Sequence, residues 1–416
     1  MDSAEGPLKL ADEHPYAVLQ NRNFLLYLIG RFIASIGQQM LTVAVGWELY
    51  ERTGMALALG IVGLTNVVPM FLFTLPAGHL ADNLNRKRII VTMTGVIGVA
   101  SLGLALASWF AAPTAWIYGC LFLSSSARTF LWPASSSFLP QLVSRRIFPR
   151  AVTWSTGSFQ LSSVAGPAAG GAVIALTHHA APVYAINAIA MLVCLTLVGL
   201  VHYERAPTPR EPMTLASLAV GFHFVFETRI ILGIITLDLF AVLLGGATAL
   251  LPVYAKDILH VGPSGLGWLQ AALPIGSLIS ALALAHRPPL QKAGSAMLWA
   301  VAGFGMATII FGLSHSFMLS FAALVICGLT DNISVLVRHT LVQLLTPDEK
   351  RGRVSAVNSL FIGTSNELGG FESGLLAHWL GPILAVVTGG LGTVLVVVIV
   401  AMVWPEIRKY GRLDAG

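Results

Sequence analysis

Long apolar runs broken by short polar stretches recur along the chain. They lie at about 23–50, 55–80, 88–110, 114–142, 150–177, 181–203, 229–255, 263–286, 293–313, 316–345, 353–380 and 382–404. Each reaches the ~20 residues an α-helix needs to cross the hydrocarbon core of a bilayer. None shows the ten-residue alternation of a membrane β-barrel. The pattern therefore predicts an all-α membrane protein with twelve transmembrane helices. Frequent glycine and proline (41 and 21 residues) fit, because neighbouring helices in a bundle satisfy backbone groups that such residues release.

The longest polar break, Glu204 to Pro212, is rich in proline and reads as a linker. Residues 214–228 mix Phe222, Phe224 and Phe226 with polar positions, which predicts a short helix at the membrane interface. The expected domains are an N-terminal segment (1–22), a six-helix bundle (23–203), the linker with its helix (204–228), a second six-helix bundle (229–404) and a tail (405–416). The halves echo each other. Gln141-Leu-Val-Ser after the fourth span resembles Gln343-Leu-Leu-Thr after the tenth, and Arg22 and Arg31 correspond by offset to Arg229 and Asp238. Internal repeats of this kind build many transporters, with substrate near the midplane and access alternating between the two sides.

Composition narrows the class further. Of 416 residues, 56% are hydrophobic and only 10% charged, against about 25% charged in soluble domains, so a soluble enzyme is excluded. The basic residues are one-sided. With the N-terminus inside, Arg86, Lys87, Arg88, Arg145, Arg146, Arg150, Arg287, Lys292, Lys350, Arg351 and Arg353 all fall in inner segments, while the outer loops keep only Arg52 and Lys256. Both termini are thus expected in the cytoplasm. The net charge of +5 reflects this asymmetry rather than a nucleic-acid partner. Trp47, Trp109, Trp116 and Trp379 are placed at the outer boundary, and Trp154 and Trp404 at the inner one. Residues 1–22 are polar and mixed in charge, unlike a signal peptide. Cys120, Cys194 and Cys327 read as small packing residues, and no histidine pair has metal-ligand spacing. No cofactor or metal is expected.

Three motifs carry mechanism. Between the second and third spans stands Gly78-His-Leu-Ala-Asp82-Asn-Leu-Asn-Arg86-Lys87-Arg88. Gly78 permits close helix contact, Asp82 near the next helix start favours its positive end, and the basic run meets anionic headgroups. The stretch resembles the G-x-x-x-D-R-x-G-R-R signature of the major facilitator superfamily, departing from it at Asn83 and Asn85. Gly166-Pro167-Ala-Ala-Gly170-Gly171 resembles the G-P-x-x-G-G element of that superfamily's exporters, with Ser162 where the upstream glycine is usual; proline and small residues together make a packing hinge. The run from Asp331 through Arg338, Gln343 and Arg353 to Glu367, Glu372 and Gly374 resembles the bacterial branch that contains the enterobactin exporter. That resemblance implies two pseudo-symmetric six-helix bundles (the major facilitator fold), a bacterial inner-membrane location and proton-driven export of a siderophore or amphipathic drug by a monomer.

Arg31, Arg128, Asp238, Asp331, Arg338, Glu367 and Glu372 fall inside spans. A charge at the bilayer centre costs about 2.5–3.5 kcal/mol on insertion scales, so each requires a partner or a water-filled cavity. Asp238 and Arg31 each lie nine residues past a span start, about 13 Å along the axis, and are expected to face each other or share a cavity. Asp331 and Arg338, two turns apart, bracket one face of the tenth span. Low dielectric favours a neutral carboxyl, so Asp238 and Glu367 are the leading candidates for proton coupling, with a permanent ion pair as the alternative for each. Arg128 resembles a fourth-span arginine that other exporters place beside the proton path. A lipid or lysophospholipid mover is the second reading, and a non-transporting receptor the third. G-x-S-x-G, H-E-x-x-H and Walker sequences are missing from the chain, so an enzyme is not expected.

Overall fold

The computed structural model describes residues 16–202, 215–286 and 291–411. The expectations for residues 1–15, for the linker up to residue 214, for Arg287 and for 412–416 lie outside them. The described chain is built from α1 (Arg22–Thr53), α2 (Ala56–Asn83), α3 (Arg86–Trp109), α4 (Thr114–Leu142), α5 (Phe148–Thr177), α6 (Ala181–Gly199), α7 (Leu215–Glu227), α8 (Arg229–Leu244), α9 (Gly262–Ala285), α10 (Ala293–Leu313), α11 (Phe317–Leu345), α12 (Asp348–Leu380), α13 (Pro382–Val403) and α14 (Pro405–Lys409). Among the described residues ten segments are long and apolar enough to cross a membrane: α1, Ala56–Ala81 of α2, α3, α5, α6, Arg229–Ile258, α9–α11 and α13. The other two, α4 and α12, have the length but carry polar residues, among them Ser124, Ser125 and Arg128 in α4 and Asn358, Glu367 and Glu372 in α12.

Several expected boundaries shift, each for a local reason. The seventh span is not one helix over 229–255. It breaks after Leu244 at Gly245–Gly246 and continues through Ala247–Leu250, Leu251–Val253 and the wider turn of Tyr254–Ile258. A glycine pair is a common cause of such a kink. The sixth span ends at Gly199 rather than 203, and the eleventh starts at Asp348 rather than 353, directly after Pro347. The short helix after the linker is present as α7. Prolines 69, 76, 133, 140, 167 and 274 sit inside helices that nonetheless continue. Hydroxyls fold back onto the backbone nearby, as Thr65 does onto the Ile61 carbonyl at 2.8 Å.

The chain forms two compact units: Met1–Thr42, Pro69–Gly166 and His179–Pro212 make unit 1, and Val43–Val68, Pro167–His178 and Met213–Gly416 make unit 2. In unit 1, α3 packs against α4 and α6. Its core joins Phe24, Tyr27, Ile90, Ile97, Phe138 and Cys194, and the Asn187 amide donates to Ser101 Oγ at 2.7 Å across the α3–α6 seam. In unit 2, α10 packs against α11 and α13 in the same neighbour pattern, α9 against α11, and α8 against α12 and α13. A second core in unit 2 docks α7 on the start of α12, where Phe222 meets Phe361 edge-on with ring centroids 5.7 Å apart. Trp109, Trp116 and Trp379 are exposed and Trp47 is buried.

Candidate functional site

Asp238 of α8 and Arg338 of α11 form a buried ion pair within unit 2. Both residues are buried, at 7% and 2% exposure, and Arg338 Nε has no hydrogen-bond partner among the described residues. Asp238 was expected to face Arg31 or share a cavity with it; within unit 2 its ion-pair partner is Arg338. A guanidinium matches a carboxylate fork, and two charges withdrawn from water into an apolar bundle are tolerable only when paired. Asp331, two turns before Arg338 on α11, is half-buried, and its neighbour Asn332 donates to Ser280 Oγ of α9 at 2.7 Å.

Glu367 of α12 accepts a hydrogen bond from Asn66 Nδ2 of α2 at 3.1 Å, also within unit 2. The helices are brought together by glycine. A Cβ on Gly374 would fall 2.6 Å from the Gly60 Cα, and one on Gly60 would fall 3.0 Å from the Phe371 carbonyl, so only two bare backbones allow this approach. Glu372, half-buried one turn further on, receives a long contact from its neighbour Ser373 (3.5 Å).

A third cluster joins the end of α1 to the wide turn after α8. The Tyr50 hydroxyl donates to Asp257, and Lys256 Nζ lies over the Tyr50 ring 5.6 Å from its centroid. Two residues before Tyr50, Glu48 is 4% exposed and pairs with Arg52 at 2.5 Å, leaving its Oε2 without a partner among the described residues. Of these, Arg52 and Lys256 stand out in the sequence only as the basic residues of the outer loops. The i,i+4 spacing of Glu48 and Arg52 was visible, but the Tyr50–Asp257 contact spans 207 positions and has no local signal.

The motif after the second span is assembled differently from expectation. Asp82 lies in the last turn of α2, not at the start of α3, and Asn85 caps α3 by accepting from the Arg88 backbone N–H at 3.2 Å. Arg86 does not face headgroups. It is 6% exposed and donates to the Ala81 and Ser137 carbonyls at 3.3 and 3.4 Å. Lys87 Nζ caps the end of α6 through the Gly199 and Val201 carbonyls at 2.6 and 2.8 Å. Basic groups at helix C-termini satisfy orphan carbonyls and the negative end of the helix dipole. Arg88 alone of the three is exposed, and Gly78 is buried near the end of α2.

The expected hinge residues are packing points. Gly166 lies against Ile36 and Gln39 of α1 within unit 1, and Gly171 against Pro263 and Gly267 of α9 within unit 2. Helix α5 runs unbroken through Pro167, and Gly170 is buried. Ser162, in the place of the usual glycine, is itself buried and reaches the Phe32 carbonyl at 3.4 Å. Arg31 and Arg128 are half-buried in unit 1.

Long apolar helices that carry charged residues inside several spans are the arrangement of a membrane transporter's pathway. The chain belongs to the transmembrane secretion effector family of the major facilitator superfamily, whose pattern matches residues 13–414. It is 27% identical over 394 residues to the enterobactin exporter EntS of Escherichia coli O1:K1 / APEC and 26% identical over 396 residues to that of Shigella flexneri, covering 93% of each chain in both cases. Its fold matches a POT family transporter in complex with 5-aminolevulinic acid (TM-score 0.73, 13% identity, 93% of this chain and 97% of that one). It also matches a bacterial homolog of the human lysosomal transporter Spinster (TM-score 0.72, 14% identity, 95% and 99%). The protein is a multi-pass membrane transporter of a small molecule.

Proposed function

We propose that this transporter exports a siderophore from the bacterial cytoplasm across the inner membrane, exchanging it for protons by alternating access. It does so as a monomer with twelve spans in two six-helix bundles, both termini in the cytoplasm and no enzymatic step. The observation that carries the reading is the pair of acidic positions held inside spans. Asp238 is locked to Arg338, and Glu367 accepts from the Asn66 amide, a donor that can hydrogen-bond either the ionised or the protonated carboxyl. A carboxyl that keeps a partner in both states can load and release a proton; one fixed against a guanidinium holds helices. Glu367 is therefore the coupling residue and Asp238–Arg338 the structural pair. The similarity to enterobactin exporters over 93% of the chain supports the substrate class.

Export is tested in an enterobactin-producing bacterium that lacks its own exporter. Expression of this chain is expected to restore enterobactin to the medium at least tenfold over empty vector. Unchanged medium levels, with the protein present in the membrane fraction, would refute the siderophore reading and favour the lipid mover.

A further inference from the structure

The two units differ in the sign of the charge they keep inside the membrane. Unit 2 holds Glu48, Asp238, Asp331, Glu367 and Glu372 in its helices, with Arg338 there paired to Asp238. Among the described residues of unit 1 there is one acid, Asp82 in the last turn of α2, while two arginines, Arg31 and Arg128, lie well inside helices. Arg31 is nine residues past the first residue of α1, about 13 Å along the axis, too deep for its head to reach the helix end easily. No carboxylate lies within ion-pair distance of it among the described residues, in contrast to Arg338 and Arg52. Its electrostatic neighbours are Tyr27, one turn earlier on α1, and Cys194 on α6. The Tyr27 hydroxyl stands beside Ser135 of α4, whose Oγ is buried, and the Tyr27 ring packs on Phe138 with centroids 5.5 Å apart.

We propose that Arg31 is an anion-recognition point for the transported molecule. The guanidinium binds a carboxylate or comparable oxyanion of the substrate, and the hydroxyl-bearing, aromatic surroundings accept its amphipathic body. A charge in a span needs a partner or a water-filled cavity; unit 1 supplies no acid to Arg31 inside its described helices, which leaves the guanidinium open to a counter-charge carried by the substrate. This places the substrate in the class of amphipathic organic anions and divides the labour: the cationic unit recognises, the acidic unit carries protons. The inference rests on the transporter reading above, but not on the substrate being a siderophore.

The test is binding to the purified full-length protein, read by energy transfer from tryptophan to a dansyl group. The two probes are dansylglycine, an anion, and dansylglycinamide, its neutral counterpart. The wild-type protein is expected to bind the anion at least tenfold more tightly than the amide, because hydrogen bonds to a charged partner are the strong ones. Arg31→Gln is expected to weaken dansylglycine at least tenfold while moving dansylglycinamide less than twofold, and Arg31→Lys to keep most of the preference. Equal weakening of both probes by Arg31→Gln, or no weakening of either, overturns the proposal by assigning Arg31 to packing. If Arg31→Gln does not fold, the wild-type comparison decides alone, and no preference for the anion overturns the site. Loss of enterobactin export in cells with the anion preference intact would remove the siderophore reading and leave this one standing.

Discussion

Arg338→Ala is expected to be the most damaging single substitution in the protein. It leaves the Asp238 carboxylate buried at 7% exposure with its cationic partner removed, and breaking a buried pair from one side costs about 3–5 kcal/mol. That is comparable to much of a domain's net stability. The variant should show a sharply lower thermal transition in detergent and poor recovery from the membrane. The charge-neutral double variant Asp238→Asn with Arg338→Gln should regain most of that loss, because the penalty comes from the orphaned charge more than from the lost attraction. A single variant as stable as the wild type would mean that water reaches the pair and that it does not fix α8 against α11.

Gly374→Leu is expected to have the next largest effect. The added side chain meets Gly60 backbone atoms at 2.6 and 2.7 Å from its first carbon, and backbone cannot rotate out of the way. Overpacking of this kind costs about 1–3 kcal/mol. The substitution should also push α2 from α12 and break the hydrogen bond from Asn66 to Glu367. Transport should fall at least tenfold, with a smaller loss of stability than Arg338→Ala gives. Gly374→Ala, which adds only one carbon, should lie between. Transport by Gly374→Leu at the wild-type rate would show that this close approach is not needed for the cycle.

The distribution of apolar runs was enough to locate the helices, because a membrane helix has to satisfy its backbone internally and so announces itself by length. What the runs could not reveal was where a helix breaks while remaining apolar. Arg229–Ile258 is interrupted at Gly245–Gly246 with no polar residue to mark it. The charged residues inside the spans were visible as singular positions, but their partners were not. Asp238 and Arg338 are one hundred residues apart, and no local spacing links them. Arg86 and Lys87 read as headgroup contacts because the positive-inside pattern says where basic residues fall, not which carbonyls they cap. Asn85, a departure from the superfamily signature, turns out to supply the cap that starts α3.

In the proposed exchange of substrate for protons, Glu367 carries the proton. The deciding experiment uses proteoliposomes with a trapped pH reporter, to which enterobactin is added, comparing the wild type with Glu367→Gln. Enterobactin-dependent proton movement is expected in the wild type and its loss, by at least tenfold, in Glu367→Gln, with the variant still folded because Gln can still accept a hydrogen bond from Asn66. Undiminished proton movement in Glu367→Gln, or none in the wild type, would contradict it.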